Sequence, residues 1–249
     1  MYKLGIDVGG TKIKAILLDN KNKSVLVFNI ATPKNKKAFL ENLEREISKI
    51  IKNKNISGIG IGLPGTIDIK RGVLIKAKNL PYLKNWQVKK SFLKFNKNIK
   101  IENDSRCFLI AEAFLGAGRK YKNIVALTIG TGIGGGIMIN GKIYYGKNYV
   151  AGEFGYTIIQ DEKTLEQLGA KNAFLKYGDR SEIIGIGVAN LINSFDPEVV
   201  ILGGGGITNK GINLDVVKKT AKKYILFKNT PIVKTKLGEN SQAIGAALL

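Results

Sequence analysis

Apolar and polar positions along the chain follow two different periods, which predict a succession of strands and helices. Short apolar runs rich in β-branched residues indicate strands. These runs cover residues 4–18, 56–63, 99–104, 124–145, 199–202 and 231–237. Apolar residues spaced three and four positions apart predict helices instead. These helices cover residues 38–52, 86–95, 105–116, 181–195, 214–225 and 241–249.

The order of these elements predicts the fold class. Strands and helices alternate in each half of the chain, which indicates an α/β fold with two lobes and a ligand site in the cleft between them. Residues 67–85 follow neither period and are predicted to be irregular. Ser241 is predicted to be the N-cap of the last helix.

Two glycine-rich turns, each between predicted strands, are the most informative segments. The first covers residues 8–12 and reads Val-Gly-Gly-Thr-Lys, and the second covers 129–135 and reads Ile-Gly-Thr-Gly-Ile-Gly-Gly. Glycine permits close approach of successive backbone amides, which together bind anions. Asp7, Thr11 and Thr131 add groups that suit phosphate oxygens and a metal ion. The two turns therefore predict a duplicated fold that holds one polyphosphate from two sides.

The second turn also matches the dinucleotide fingerprint, through Gly130, Gly132 and Gly135 with Glu153 beyond them. That fingerprint requires a helix after the turn, because the pyrophosphate lies on the helix N-terminus. Here a strand pattern follows, with Asn140-Gly141 indicating a hairpin. A nicotinamide site is therefore not expected.

Composition excludes several chemistries. The chain has 249 residues, no histidine and one cysteine, Cys107. Without histidine, Ser-His-Asp catalysis and a conventional Cys/His zinc site are excluded, so a general base must be a carboxylate, lysine, tyrosine or the thiol. With one cysteine, the chain cannot form an internal disulfide. No apolar run is long enough to span a bilayer. Because a strand pattern begins at the first residues, we expect no signal peptide. We expect a cytoplasmic protein with no membrane partner.

The net charge of +21, from 40 Lys+Arg against 19 Asp+Glu, raises the hypothesis of nucleic-acid binding. The lysines are spread along the whole chain, arginines are few, and aromatic residues do not interleave with them as a stacking surface requires. We expect a solvated basic surface and no specific nucleic acid. The charge would still attract an anionic nucleotide.

Asp104 is the candidate general base. It follows Asn103 at the end of a predicted strand and opens a predicted helix, where the helix N-terminus favours an ionised carboxylate. Phosphoryl transfer needs one carboxylate near the acceptor hydroxyl. An N-capping role for Asp104 is the structural alternative.

Other segments carry similar alternatives. Asp7 would hold Mg²⁺ directly or through water, or cap its own turn. Glu153, between two glycines, would accept hydrogen bonds from substrate hydroxyls, or be a solvated loop residue. Residues 203–206 are four glycines that would pack against a flat base, or form a plain loop. Cys107 is expected in the core.

Taken together, these motifs resemble the ROK family of sugar kinases and transcriptional repressors, within the actin/hexokinase/Hsp70 superfamily. The matching segments run in family order over nearly the whole chain. They are residues 6–12, 60–65, 79–81 with Trp86, 102–104, 127–136, 151–153, 195–197, 201–205 and 245–247.

The resemblance implies a two-lobed actin-like ATPase (ribonuclease H-like) fold with a duplicated mixed sheet flanked by helices. Residues 1–104 with 240–249 would form a small lobe, and residues 105–239 a larger one. It also implies ATP-dependent phosphorylation of a hexose at the 6-hydroxyl, with Mg²⁺, in a homodimer.

The resemblance also assigns site residues. Asp104 would be the catalytic base. The sugar would contact Gly65, Asn79, Asn103, Asp104 and Glu153. The phosphates and Mg²⁺ would face Asp7, Gly9, Gly10, Thr11, Lys12, Thr131 and Gly132, with Gly204 and Gly205 beside the adenosine.

The chain departs from the family at the sugar end. Tyr156 stands where family members carry a histidine that binds sugar and zinc, and residues 158–163 lack the cysteines of the family zinc loop. We therefore expect no zinc and a broad range of hexoses. Glu166 would match a later family glutamate and give a second sugar contact, together with Tyr156.

The repressors of the family differ from this chain in two ways. They carry an N-terminal helix-turn-helix, which we do not expect here because the strand pattern begins at once, and they commonly lose phosphate-turn residues that are intact here. The leading prediction is a glucokinase or broad hexokinase. The alternatives are a kinase for N-acetylmannosamine, N-acetylglucosamine, fructose or allose, and a non-catalytic sugar sensor.

Overall fold

The computed structural model describes residues 1–209 and 211–249, and the chain divides into two compact units. The first unit comprises Met1–Phe108 and Asn240–Leu249, and the second comprises Leu109–Glu239. The sequence predicts a division at residue 104, where a helix starts, whereas the observed division falls inside that helix.

The strands and helices follow one another along both units. The strands are β1 (Tyr2–Val8), β2 (Lys12–Leu18), β3 (Ser24–Ala31), β4 (Ile56–Leu63), β5 (Thr66–Asp68), β6 (Val73–Lys76), β7 (Ile99–Asn103), β8 (Ile124–Ile129), β9 (Ile133–Ile139), β10 (Lys142–Ile143), β11 (Ile158–Gln160), β12 (Lys163–Thr164), β13 (Val199–Gly203) and β14 (Ile232–Lys234). The helices are α1 (Lys36–Ile51), α2 (Val88–Phe92), α3 (Asp104–Phe114), α4 (Leu165–Gly169), α5 (Lys171–Tyr177), α6 (Ser181–Phe195), α7 (Gly205–Thr208), α8 (Leu214–Tyr224) and α9 (Ser241–Ala247).

Each unit is built on a five-stranded mixed sheet, and the two sheets share one topology. The strand orders are β3-β2-β1-β4-β7 in the first unit and β10-β9-β8-β13-β14 in the second. In each sheet an antiparallel hairpin, β1 with β2 or β8 with β9, is extended by two parallel strands. This is the duplicated mixed sheet that the sequence predicts.

Helix α1 shows how the predicted periodicity covers a sheet. Phe39, Leu43, Ile47 and Ile50 are buried at helical spacing, in one apolar cluster with the strands of the first sheet. The helix starts where the Asn35 side chain accepts the Ala38 N–H at 2.8 Å. In the second unit, α6 and α8 share an apolar cluster with the second sheet.

Helix α9 packs against the first sheet so closely that glycine is required on both sides. A Cβ on Gly60 of β4 would lie 1.7 Å from the Ala246 carbonyl oxygen, and a Cβ on Gly5 of β1 would lie 2.0 Å from the Ala243 carbonyl oxygen. A Cβ on Gly245 would lie 1.7 Å from a carbonyl oxygen of α3. The last helix is thus fixed against the strands of the first unit by backbone contacts.

The segment after the second glycine turn agrees with the rejection of a dinucleotide site. Strand β9 follows the turn directly, and it continues into β10 through Asn140 and Gly141. Both turn residues have positive φ, of 51° and 75°, as a two-residue hairpin turn needs. Because a strand and not a helix follows the second glycine turn, the match to the dinucleotide fingerprint lacks its physical basis.

Some local predictions are wrong. Residues 67–85 contain β5 and β6, which pair with each other, and a 3-10 turn at Pro81–Leu83. Ser241 is the first residue of α9 and is fully buried, and Asn240 takes the cap position. The helix predicted over 86–95 is reduced to α2.

The strand predicted over 231–237 ends early, at Lys234, because a buried carboxylate binds the backbone N–H groups that follow. The Glu112 side chain accepts the N–H groups of Lys236 and Leu237, each at 3.1 Å, in place of a neighbouring strand. Across residues 1–209 and 211–249, every helix falls short of the length and apolar character needed to cross a bilayer.

We expect Gly245→Ala to destabilise the protein by at least about 2 kcal/mol, although alanine is the better helix former. The added methyl group meets a backbone carbonyl, so the whole helix must move. Chemical denaturation measures the loss. The control is Gly130→Ala, because a Cβ at Gly130 meets nothing within 4 Å. Equal stability of the two variants would contradict the packing of α9.

Candidate active site

The first glycine turn joins β1 to β2 and needs its glycines for packing. The Gly9 N–H donates to the Lys12 carbonyl at 3.0 Å. A Cβ on Gly9 would lie 2.6 Å from that carbonyl oxygen, and a Cβ on Gly10 would lie 2.8 Å from the Asn79 Cβ. The hydroxyl of Thr32 donates to the Gly9 carbonyl at 2.7 Å and fixes the turn from the end of β3.

This turn exposes the residues predicted to bind phosphate. Gly10, Thr11 and Lys12 are exposed, and Gly9 is half-buried. Asn79, predicted to contact sugar, lies against Gly10 and is exposed too. The first unit thus brings predicted phosphate and sugar contacts side by side.

Gly65 stands at the corner between β4 and β5. Its φ is +80°, and a Cβ there would lie 2.4 Å from the Lys76 carbonyl oxygen. Positive φ and close packing both require glycine at this position. Gly65 is exposed, as its predicted sugar contact demands.

Asp7 lies near the end of β1, half-buried among charged neighbours. Lys14 of β2 pairs with it on one side and Gly62 of β4 on the other. Within the described residues, no protein donor is hydrogen-bonded to the Asp7 carboxylate. Burial and, to a smaller extent, the nearby Asp104 carboxylate raise the pKa of Asp7 to about 7, although Lys14 and Lys12 act to lower it.

The surroundings of Asp7 fit a Mg²⁺ ion that is completed by phosphates. Mg²⁺ is commonly held by one or two carboxylates together with water and substrate phosphates. Among the described residues there is no group of three or more His, Cys, Asp or Glu side chains that could hold a metal alone. Asp7 and Asp104, two carboxylates that interact electrostatically next to the first glycine turn, fit a site in which the protein and a substrate phosphate share the ion.

Asp104 is presented at the junction of β7 and α3, and its neighbour supplies the helix cap. The Asn103 Oδ1 accepts the N–H of Ser105 at 3.0 Å and the N–H of Arg106 at 3.3 Å. Asn103 stands at the N-cap position of α3, and the Asp104 Oδ1 accepts the Ser105 N–H as well, at 2.8 Å, so both side chains bind the first turn of the helix. The cap engages the Asn103 oxygen, which leaves the Asn103 amide nitrogen for the predicted sugar contact.

Beneath this junction lies a buried ion pair. The Arg106 Nε and Glu102 Oε1 are 2.7 Å apart, and their side chains are only 3% and 2% exposed. The same Glu102 oxygen accepts the Asn103 N–H at 2.7 Å. One carboxylate oxygen therefore connects the end of β7 to the first turn of α3.

Gly62 allows α3 to begin close to β1 and β4. A Cβ there would lie 3.3 Å from the Cys107 Sγ and 3.7 Å from the Asp104 Cα. Cys107 is fully buried, as predicted, and burial raises the pKa of its thiol well above the ordinary value. Glu102, Asp7 and Asp104 raise that pKa further, since all three carboxylates lie near the thiol.

The second glycine turn joins β8 to β9 in the second unit. The Gly130 N–H donates to the Gly132 carbonyl at 2.9 Å and closes the turn around Thr131. The Glu166 Oε2 accepts the Ile133 N–H at 2.9 Å, and a Cβ on Gly132 would lie 2.5 Å from that oxygen. Glu166, predicted as a sugar contact, thus binds the predicted phosphate turn with one oxygen.

Glu153 precedes the 3-10 turn Phe154–Tyr156, and Tyr156 is the last residue of that turn. Gly152 and Gly155 bring this segment against β9, where added Cβ atoms would lie 2.8 Å from the Gly135 carbonyl oxygen and 2.4 Å from the Ile133 carbonyl oxygen. Glu153 is exposed, and Tyr156 is 77% exposed. Both side chains are accessible for their predicted sugar contacts.

A hairpin occupies residues 158–164, the segment to which the resemblance assigns a zinc loop. Strands β11 and β12 pair antiparallel, and α4 begins directly after them. The Thr164 hydroxyl accepts the Gln167 N–H at 3.2 Å, and the Gln167 side chain accepts the Thr164 N–H at 2.8 Å. This capping box supports the start of α4, and therefore Glu166, with hydrogen bonds from the protein itself.

Residues 203–206 form the end of β13 and the start of α7, so the plain-loop alternative is wrong. Gly204 has φ of +85°, and a Cβ there would lie 2.5 Å from the Ile129 carbonyl oxygen. At Gly205 the nearest atom to an added Cβ is the Asn209 amide nitrogen at 3.7 Å. Backbone surface is available there for a flat group.

A model of the ROK family matches residues 3–169 and 164–249 of the chain. The chain belongs to the ROK family. A curated relative, the N-acetyl-D-glucosamine kinase of Aliivibrio salmonicida, is 29% identical, with 98% of each chain covered.

Solved structures agree on the fold. The Streptomyces griseus ROK family glucokinase, in complex with glucose and AMPPNP, is 23% identical with a TM-score of 0.87, covering 99% of this chain and 98% of that one. The ROK hexokinase from Thermus thermophilus is 27% identical with a TM-score of 0.85, covering 100% and 97%. The predicted family and actin-like ATPase fold are both confirmed.

Sequence reasoning missed the residues that support the site from behind. Glu102 and Arg106 are four positions apart, but they lie on opposite sides of a strand–helix boundary, where helical spacing rules do not apply. Lys14 is almost completely buried and donates to the Asn240 side chain at 2.8 Å. The signal in the sequence was a lysine inside the apolar strand β2, because a buried lysine needs a polar or charged partner.

We expect Asp7→Asn to stabilise the metal-free protein at pH 8 by about 1–3 kcal/mol. Because the folded-state pKa is about 7 and the ordinary value is 3.8, the folded state binds the proton more tightly than the unfolded state. Asp7 therefore lowers stability as the pH rises from about 4 to 7, and this cost is full above pH 7.

Thermal unfolding in EDTA at pH 5 to 8 measures the effect. The gain of Asp7→Asn over the parent should grow with pH, whereas the exposed control Asp215→Asn should follow the parent. A constant difference between Asp7→Asn and the parent across this range would contradict the strained burial of Asp7.

Proposed function

We propose that this ROK-family chain is an ATP-dependent hexose kinase, which transfers the γ-phosphate to the 6-hydroxyl of glucose or a related hexose. One observation supports this most directly. Asp104 stands at the β7–α3 junction beside Asp7, and its neighbour Asn103 already caps the helix. The Asp104 Oδ1 accepts the Ser105 N–H at 2.8 Å, which orients the carboxylate, and in this proposal the carboxylate also accepts a hydrogen bond from the acceptor hydroxyl.

In this proposal Asp104 orients the 6-hydroxyl and accepts its proton as the new O–P bond forms and ADP leaves. The 11-residue helix α3 starts at Asp104, and its N-terminus favours the ionised carboxylate. Gly65, Asn79 and Asn103 position the sugar from the first unit.

The phosphates bind the amides of residues 9–12, and Asp7 holds Mg²⁺ directly or through water. When bound, the ion offsets phosphate charge. Asp7 would give up its proton to bind the ion, and Lys12 supplies a further cation at the turn.

The second unit contributes its own set of residues in this proposal. Thr131 and Gly132 contact phosphates, and Gly204 and Gly205 lie beside the adenosine. Glu153, Tyr156 and Glu166 contact the sugar. Tyr156 in place of a histidine removes a specific polar group, and this supports a broad range of hexoses.

An N-acyl hexosamine is the second candidate substrate. The relative from Aliivibrio salmonicida is an N-acetyl-D-glucosamine kinase and aligns over almost the whole chain. Fructose is a further candidate substrate, and a non-catalytic sugar sensor is the alternative outside the enzymes. A cytoplasmic homodimer without zinc, membrane or specific nucleic-acid partner stays our prediction.

We expect Asp104→Asn to lower kcat by about 10²–10⁴-fold with little change in the KM for ATP, since the amide cannot accept the proton. ATP consumption coupled to a panel of glucose, mannose, fructose, N-acetylglucosamine and N-acetylmannosamine measures it and ranks the substrates.

The exposed carboxylate variant Asp215→Asn is the matched control and should keep the parent's activity. A parent without sugar-dependent turnover would contradict the kinase proposal and favour the sensor. An Asp104→Asn variant as active as the parent would exclude Asp104 as the base.

We expect protein purified without an affinity tag to contain no stoichiometric zinc and to lose no activity on treatment with a zinc-selective chelator. The reason is the absence of histidine and of the cysteine loop, with a capping box at the start of α4 instead. Elemental analysis checks this, and one zinc per chain would contradict it.

A further inference from the structure

Two charged side chains are buried next to the β7–α3 junction, where they are shielded from solvent. Glu102 and Arg106 are among the few charged side chains buried in the described chain, and their Nε–Oε1 distance is 2.7 Å. A buried ion pair usually adds little net stability, because desolvation of both groups offsets their attraction. Stability alone therefore does not explain why charge is retained at this point.

The pair lies directly behind the proposed catalytic base. Glu102 of β7 pairs in register with Gly62 of β4, which in turn pairs with Asp7 of β1. In neighbouring parallel strands, residues at one register position point to the same face. The start of α3 covers this face, since the Asp104 Cα would be 3.7 Å from a Cβ on Gly62.

Glu102 and Arg106 also fix the backbone that orients Asn103 and Asp104. The Glu102 Oε1 accepts the Asn103 N–H at 2.7 Å, and the Arg106 Nε–H donates to the same oxygen. The Arg106 N–H in turn donates to the Asn103 Oδ1 at 3.3 Å. These bonds close a ring of contacts across the strand–helix boundary, so the direction in which Asp104 leaves the backbone depends on the pair.

We propose that the Glu102–Arg106 pair is a positioning element for Asp104, holding the base in line with the acceptor hydroxyl. This rests on the proposed kinase function. Arg106 also offsets the charge of Glu102, which would otherwise be a third carboxylate beside Asp7 and Asp104. The planar guanidinium gives a fixed Nε direction, which an ammonium does not reproduce.

The test separates the geometry of the pair from its charge, with one variant that keeps the charge and changes the geometry and one that removes a charge and keeps the acceptor oxygen. Arg106→Lys keeps a cation and loses the fixed Nε–H, so we expect kcat to fall about ten- to hundred-fold with KM for ATP and sugar within about twofold. Glu102→Gln keeps an acceptor oxygen for both donors, so it should retain most of the parent's kcat. The matched control is Arg45→Lys, because Arg45 pairs its Nε with Glu46 at 3.1 Å on α1, away from the junction.

A double-mutant cycle separates positioning from general damage. If Arg106 acts through Asp104, Arg106→Lys should lower the residual kcat of Asp104→Asn by less than twofold. If the two losses multiply in full, or if kcat of Arg106→Lys equals that of the parent, the proposal is overturned.

A second measurement does not depend on turnover. In ¹H–¹⁵N spectra, Arg106→Lys should shift the amide signals of Asn103 and Ser105 while the melting temperature stays near that of the parent. The control Arg45→Lys should leave both signals in place. Unmoved signals would overturn the positioning proposal, whether or not the parent shows kinase activity. A parent without kinase activity would instead contradict the proposed function.

Discussion

The Asp7 carboxylate is buried in the first unit within the electrostatic influence of a second carboxylate, Asp104, and the proposed site depends on this constraint. Burial and Asp104 together raise the pKa of Asp7 to about 7, whereas Lys14 and Lys12 oppose this. Such a site is unfavourable for the protein alone and favourable once a cation and anionic phosphates are bound. The cost in folding free energy is thus connected to the proposed chemistry.

Close backbone packing makes this arrangement possible. Gly62 leaves the space in which α3 begins near β1, and Gly5, Gly60 and Gly245 let α9 lie on the same sheet. Polar contacts then fix the directions of the side chains, through the cap by Asn103 and the pair of Glu102 with Arg106. Packing therefore determines where the strand ends meet, and hydrogen bonds determine which way the functional groups point.

The second unit repeats the topology and changes the chemistry. Its hairpin turn also carries glycines, but Glu166 binds the turn through the Ile133 N–H, where the first turn has the hydroxyl of Thr32. A capping box at Thr164 holds the start of α4, directly after the β11–β12 hairpin. The second unit thus stabilises its turn through a side chain of α4.

The sequence by itself determined the elements, the fold class and the family, because period, glycine turns and motif order are local or sequential signals. The hairpin after Gly132, α6 over 181–195 and the junction at Asp104 all follow from such patterns. The wrong prediction of a strand over 231–237 has a tertiary cause, because the N–H groups of residues 236 and 237 bind Glu112, a side chain of α3 that lies far away in the sequence. At the β7–α3 junction the contacts are local, and both Asn103 Oδ1 and Asp104 Oδ1 accept the Ser105 N–H. Only the tertiary structure decided that Glu102 and Arg106 form a buried pair next to Asp104. It also decided that burial and the Asp104 carboxylate raise the pKa of Asp7. Those facts depend on which strands lie side by side, and no spacing along the chain encodes them.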